Sequence, residues 1–166
     1  HYLLLTDRAL LKKDADYRMN PPLRTEKDRL AMIEALRDGT IDAIATDHAP
    51  HTPEEKADFL KAPNGSIGME TSFSASYTAL VKTGVLTLPA LIERMSVRPA
   101  QILGIEAGVI EAGAPADIAL IDENAVWTVD PDKLHGKSRN TPFKGMTLHA
   151  KVRATVCGGR IVYSEL

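Results

Sequence analysis

The sequence predicts an α/β protein that ends in a small all-β module. Three observations predict it. Apolar residues recur at helical spacing between Thr25 and Gly39, between Glu70 and Gly84, and from Thr87 to Gly104. Between the first two of these lies a short, mostly apolar run, Ile41-Asp42-Ala43-Ile44-Ala45-Thr46-Asp47, which reads as a strand of a buried parallel sheet. Near the end, Lys151 to Cys157 alternates cleanly and passes through Gly158-Gly159, a two-residue hairpin turn, into Arg160 to Tyr163.

Composition narrows the function. The 166 residues carry 20 Lys+Arg against 22 Asp+Glu, a net charge of −2, without the basic excess of a nucleic-acid binder. With 44% hydrophobic and 25% charged residues this is ordinary globular composition. No apolar run approaches the roughly 18–20 residues that span a bilayer, so no membrane partner is expected. A single cysteine excludes an intramolecular disulfide framework and permits a reducing compartment. A complete (β/α)8 barrel normally needs about 250 residues and cannot fit.

Taken in order, His1-Tyr2-Leu3-Leu4-Leu5-Thr6-Asp7 reads as a chain that starts within a strand, or else as a processed terminus. Residues 8–22 are polar and irregular, closing in Met19-Asn20-Pro21-Pro22, which excludes regular helix. Thr25, with Asp28 three residues on, signals a helix N-terminus; Leu30, Ile33 and Leu36 form its buried stripe and Gly39 ends it. The strand 41–47 opens into Asp47-His48-Ala49-Pro50-His51 and a long loop through Pro53, Pro63, Gly65 and Gly68. Phe73, Tyr77 and Leu80 share a helix face; Thr87 caps a second helix with Leu88, Leu91, Ile92 and Met95. A third, short helix runs from near Pro99 to Leu103 and stops at Gly104. Ala116 to Asp122 is a strand, and Val152, Ala154 and Val156 share one strand face. Residues 1–104 thus read as α/β and 105–166 as the β module.

The polar cluster at the end of strand 41–47 carries the chemistry. In α/β barrels the C-terminal strand ends are where catalytic groups sit. A carboxylate there, Asp47, is either a cap for the following turn or a hydrogen-bonded, paired or metal-bound group, since isolated burial is too costly. His48, its neighbour, points elsewhere and reads as a packed imidazole. His51 reads as an exposed loop histidine or one that faces a ligand. His135 and His149 lie away from the cluster, solvent-facing or structural. Trp127 reads as a core or inter-domain anchor, and Cys157 as packed.

The run Ala45-Thr46-Asp47-His48-Ala49-Pro50-His51, with Glu54-Glu55-Lys56 behind it, resembles the dihydroorotases of the cyclic amidohydrolase superfamily. Met19-Asn20-Pro21-Pro22-Leu23-Arg24 resembles their substrate-binding Asn-Pro-Pro-Leu-Arg segment, and Ala62-Pro63-Asn64-Gly65 through Gly68-Met69-Glu70-Thr71 the loop that opens the last barrel helix. Arg98 to Gly104 and Gly113 to Asp117 are similar to segments found widely in amidohydrolases. The resemblance covers essentially the whole chain.

It implies the C-terminal part of a metal-dependent (β/α)8 TIM-barrel hydrolase, with the seventh and eighth strands and helices in 1–104, and the last strands of a flanking β-sandwich in 105–166. The implied reaction is reversible hydrolysis of dihydroorotate to N-carbamoyl-aspartate, a step of cytoplasmic pyrimidine biosynthesis, with one or two zinc ions. Asp47 would ligate zinc and shuttle the proton. Asn20 and His51 would hold the substrate's carboxylate and ring, and the backbone of Asn64 and Gly65 its pyrimidine edge; Arg24 would support the helix start. Asn64 and Ser66 depart from the family, which commonly has an aromatic and an aliphatic there. The family's His-x-His pair, its bridging carboxylate or carbamylated lysine and two later histidines have no counterpart, so the missing N-terminal part of the protein is an implied partner and the chain alone is expected to be inactive. A homodimer or an aspartate carbamoyltransferase complex is the implied assembly. Three alternatives stand: a hydantoinase or dihydropyrimidinase; a non-catalytic dihydroorotase homologue serving as structural partner of aspartate carbamoyltransferase; and two fragments, cleaved or separately encoded, that reassemble into one barrel.

Overall fold

Helix α1, Glu26–Asp38, begins where the sequence places it. Thr25 and Asp28 form a reciprocal capping box, and Gly39 closes the helix at φ 87°. The computed structural model describes all 166 residues. Leu36 is buried and Ile33 half-buried, but Leu30 is 52% exposed, so the expected stripe is only partly covered. Arg94 reaches back from a later helix and donates to the Leu36 carbonyl at 2.8 Å, satisfying an acceptor at the end of α1.

Two predicted strands are not strands. Residues 1–5 form a turn, with the N–H groups of Leu4 and Leu5 both donating to the His1 carbonyl. Residues 41–47 are extended but belong to no ladder. They hold position through Ile44 N–H to the Arg94 carbonyl and the isolated bridge His48–Ser66. A parallel strand needs neighbours to accept and donate along its length, and no such neighbour lies beside this run within the chain.

Helix α2, Ser72–Ser76, widens into a π turn, Tyr77–Val81. Helix α3, Leu88–Ile92, is capped by Thr87 and passes through a π turn, Glu93–Val97, into α4, Arg98–Leu103. The second and third expected helices are therefore one continuous helical segment. Pro99 has no N–H to give to the preceding turn, and the chain absorbs that loss by widening just before it. Leu3, Leu36, Tyr77, Leu80, Leu86 and Leu91 form the main core.

The β module is one antiparallel sheet in the order β1-β2-β3: β1 is Ile118–Thr128, β2 Thr147–Cys157 and β3 Arg160–Ser164. Gly158 and Gly159, at φ 54° and 75°, make the expected hairpin, whose double left-handed turn suits glycine. Cys157 beside it is exposed rather than packed, although it pairs with Arg160 of β3. The sheet docks on α2 and its π turn. Ser74 Oγ donates to the Ala150 carbonyl at 2.7 Å, and His149 N–H donates to Thr78 Oγ1 at 2.8 Å. Trp127 also donates to the Ala150 carbonyl, and packs beside Ala75, Val129, Phe143 and Leu148 as an anchor between sheet and helix.

Candidate active site

Asp47 stands at the head of the 47–51 loop at φ 47°, a left-handed conformation that short polar residues tolerate. The carboxylate is exposed, not buried as its apolar neighbours predicted, and makes no hydrogen bond or ion pair. It lines a cavity of about 510 Å³ together with His1, Tyr2, Asn20, Asn64 and Gly65. His1 Nε2 is a buried polar atom without a partner beside the same cavity. Tyr2 donates its hydroxyl to the Pro21 carbonyl, tying the first turn to the segment that carries Asn20. Burial, then the charge of Asp47, holds the Tyr2 phenol above its usual range.

Asn20 is exposed at the cavity and is positioned by the buried residues just before it. Tyr17 and Met19 pack with Leu23 in a small separate core. Opposite, Gly65 is at φ 116° and its N–H donates to the Arg18 carbonyl at 2.7 Å. A Cβ at Gly65 would lie 2.5 Å from the Ala49 Cβ, so only glycine allows the 64–65 turn to come this close to the 47–51 loop.

Two residues that the sequence did not single out as functional hold these loops. Lys56 extends its ammonium to the carbonyls of Ala15, Pro63 and Gly65, at 3.1, 2.9 and 2.8 Å. Burial pushes that ammonium below its usual range. Asn140, from the far third of the chain, bonds to both loops. Lys56 was visible as part of Glu54-Glu55-Lys56, but nothing in a lone Asn between Arg139 and Thr141 announces a buried bracing role.

Of the histidines, His48 and His135 lie as expected and His51 does not face the cavity. His48 Nδ1 accepts from Gly68 N–H at 3.0 Å, a packed imidazole that fixes the start of the 68–71 turn. His51 does not line the cavity. Its Nε2 lies 3.1 Å from the Asn64 carbonyl and its Nδ1 3.6 Å from Glu55, so the ring sits behind the 64–65 turn as a brace. His135 pairs with Glu70, away from the cavity. Burial opposes ionisation of Glu70, but the N–H groups of His135 and Gly136 and the His135 ring outweigh it and hold the carboxyl below its usual value.

No three of the chain's His, Cys, Asp and Glu side chains converge closely enough to hold a metal ion. Asp47 supplies one carboxylate, whereas a catalytic zinc takes about three protein ligands. The residues present therefore do not hold such an ion by themselves. No helix is long and apolar enough to cross a membrane.

The sequence profile of the Amidohydrolase family matches residues 1–162. The chain belongs to the amidohydrolase family. This amidohydrolase chain is 52% identical over 166 residues to a dihydroorotase from Geobacter metallireducens, covering 99% of the chain and 39% of that relative. It is 49% identical to a dihydroorotase from Bacillus caldolyticus, with the same coverage. The chain thus spans about two fifths of the length of these curated relatives. Among solved structures, an L-hydantoinase (dihydropyrimidinase) from Arthrobacter aurescens superposes with a TM-score of 0.92 at 30% identity, over 99% of the chain and 38% of the hydantoinase. A dihydropyrimidinase from Brevibacillus agri superposes at 0.91 and 29% identity, over 98% of the chain and 38% of its own. The amidohydrolase chain accordingly has the fold of part of a barrel-type α/β amidohydrolase.

Proposed function

We propose that these residues form the substrate-facing rim of a dihydroorotase, which opens the ring of dihydroorotate to N-carbamoyl-aspartate and closes it again. The observation that carries the reading is the convergence of an unpaired Asp47 with Asn20, Asn64 and Gly65 on one cavity. In this reading 1–104 supply the last part of the barrel and 105–166 the closing strands of a flanking β-sandwich. The site also holds one or two zinc ions, with Asp47 one of their ligands and the others outside these 166 residues. The partners are the rest of the enzyme and its small anionic substrate, in the cytoplasm, and the assembly is a homodimer or a complex with aspartate carbamoyltransferase.

Asp47 has the properties of a proton carrier: an exposed carboxylate with no partner to satisfy it. It takes the proton from the attacking water and gives it to the ring nitrogen as the carbon–nitrogen bond breaks. The Asn20 amide binds the substrate's carboxylate, and the main chain of Asn64 meets the polar edge of the ring, with Gly65, whose own N–H and carbonyl are bonded within the protein, allowing the close approach. His51 orients the Asn64 carbonyl at 3.1 Å and contributes to substrate binding from behind the turn.

A hydantoinase reading is consistent with the superposition on hydantoinases, which does not favour it: identity to the Arthrobacter hydantoinase is 30%, against 52% to a dihydroorotase. Turnover of dihydroorotate, hydantoin and dihydrouracil by the complete enzyme separates the two. The proposal expects kcat/KM for dihydroorotate to exceed the others by at least about a hundredfold, because a site built to pair a carboxylate rejects ligands that lack one. A preference for hydantoin or dihydrouracil would replace it with the second reading.

A further inference from the structure

We propose that Asn140 is a positioning residue for this reaction, its single amide fixing the distance between the loop that carries Asp47 and the turn that carries Asn64 and Gly65. The inference rests on the function proposed above. Asn140 is 3% exposed. Its Oδ1 accepts from His51 N–H at 3.1 Å, and its Nδ2 donates to the carbonyls of Ala49 at 2.9 Å and Gly65 at 3.3 Å. Its own carbonyl accepts from Ile67 N–H at 3.0 Å. One planar group therefore holds two points on the Asp47 loop and one on the opposite turn, while the backbone behind it holds a second point on that side.

Ordinary core polarity does not account for this pattern. Asn140 lies on the segment between the turn Pro131–Lys133 and strand β2, yet all three side-chain bonds leave that segment for the two site loops. The loops also meet directly, through Ala49 N–H to the Ser66 carbonyl and His51 Nε2 to the Asn64 carbonyl. Those bonds join the loops along one edge, and the Asn140 amide adds a buried bond to each from the other side. Its donor is shared between Ala49 and Gly65 and its acceptor is on His51. The requirement is specific to a carboxamide, because it needs a donor and an acceptor on one short planar group. Aspartate has the same shape but would set an oxygen against two carbonyl oxygens.

The test is steady-state turnover of dihydroorotate by the complete enzyme with Asn140→Ala and Asn140→Asp, normalised to folded protein, together with amide exchange at His51. Because Asp47 acts in the chemical step, the larger loss should fall on kcat, by about tenfold or more, with a smaller rise in KM from the loosened 64–65 turn. The isosteric Asn140→Asp should be at least as damaging as Asn140→Ala, whereas a residue that only fills space would tolerate aspartate better. Exchange of the His51 amide should rise about fivefold or more in Asn140→Ala. Variants with kcat within about twofold of the unaltered enzyme would overturn the inference. If the unaltered enzyme does not turn over dihydroorotate, the functional reading fails separately. Unchanged His51 exchange in Asn140→Ala would then still count against Asn140.

Discussion

Replacing Gly65 by alanine probes the closest approach in the site. The new Cβ would lie 2.5 Å from the Ala49 Cβ and 3.7 Å from His51 Nε2, on a backbone at φ 116°. Carbon atoms rest about 3.5–4.0 Å apart, so the 64–65 turn or the Ala49 loop must retreat by about 1 Å. The steric part costs about 1–3 kcal/mol by analogy with overpacked cores. An alanine forced to this φ adds about 1–3 kcal/mol. Together Gly65→Ala should destabilise the complete protein by about 3 kcal/mol in urea unfolding, and the displaced turn should lower kcat/KM by up to about a hundredfold. A second substitution, Ala49→Gly, removes the clashing methyl and should restore the steric part while leaving the backbone part, so a double-mutant cycle separates them. Gly65→Ala with unaltered stability and turnover would refute the argument that the two loops are packed to contact at this point.

Other expectations follow from the same structure. Thr25→Ala removes the capping box of α1 and should cost about 1 kcal/mol in thermal or urea unfolding; no change would show that the helix start is held from elsewhere. Burial first, then the charge of Asp14, raises the Asp16 carboxyl from 3.8 to about 6, so the folded state binds this proton more tightly than the unfolded one. Stability from this group is therefore full below about pH 4, falls as pH rises to about 6 and stays low above. Asp16→Asn should flatten that slope and add about 1 kcal/mol at neutral pH, after allowance for solvent screening of a half-exposed group; a steeper slope in the variant would reverse the assignment. The purified 166-residue chain should show no dihydroorotate turnover, because its carboxylates and histidines do not gather into a metal site. Turnover by that chain without any partner would contradict this.

What the sequence revealed depended on the range of the forces involved. Local signals held: Thr25 and Asp28 cap α1, Thr87 caps α3, and Gly158-Gly159 turns the hairpin, each through residues only a few positions apart. The strand assignments at 41–47 and 1–5 did not, because apolar character there favours burial but does not supply a ladder, whereas the strand expected at 116–122 finds one in β2. The site divided the same way. Asp47, Asn20, Asn64 and Gly65 stand out in the sequence through their motifs, and the structure brings them to one cavity. His51 lies on the loop that carries Asp47 but faces the 64–65 turn, since a histidine in a loop has no periodicity to fix its direction. Asn140 was invisible: its partners are 75 to 91 residues away along the chain, and no local pattern encodes them.

The proposed role of Asp47 as the proton carrier in ring opening rests on the kcat of Asp47→Asn with dihydroorotate in the complete, folded, metal-loaded enzyme. The account predicts a loss of at least about a hundredfold, since asparagine keeps the shape but takes no proton. An Asp47→Asn enzyme that turns over dihydroorotate at the unaltered rate would contradict it.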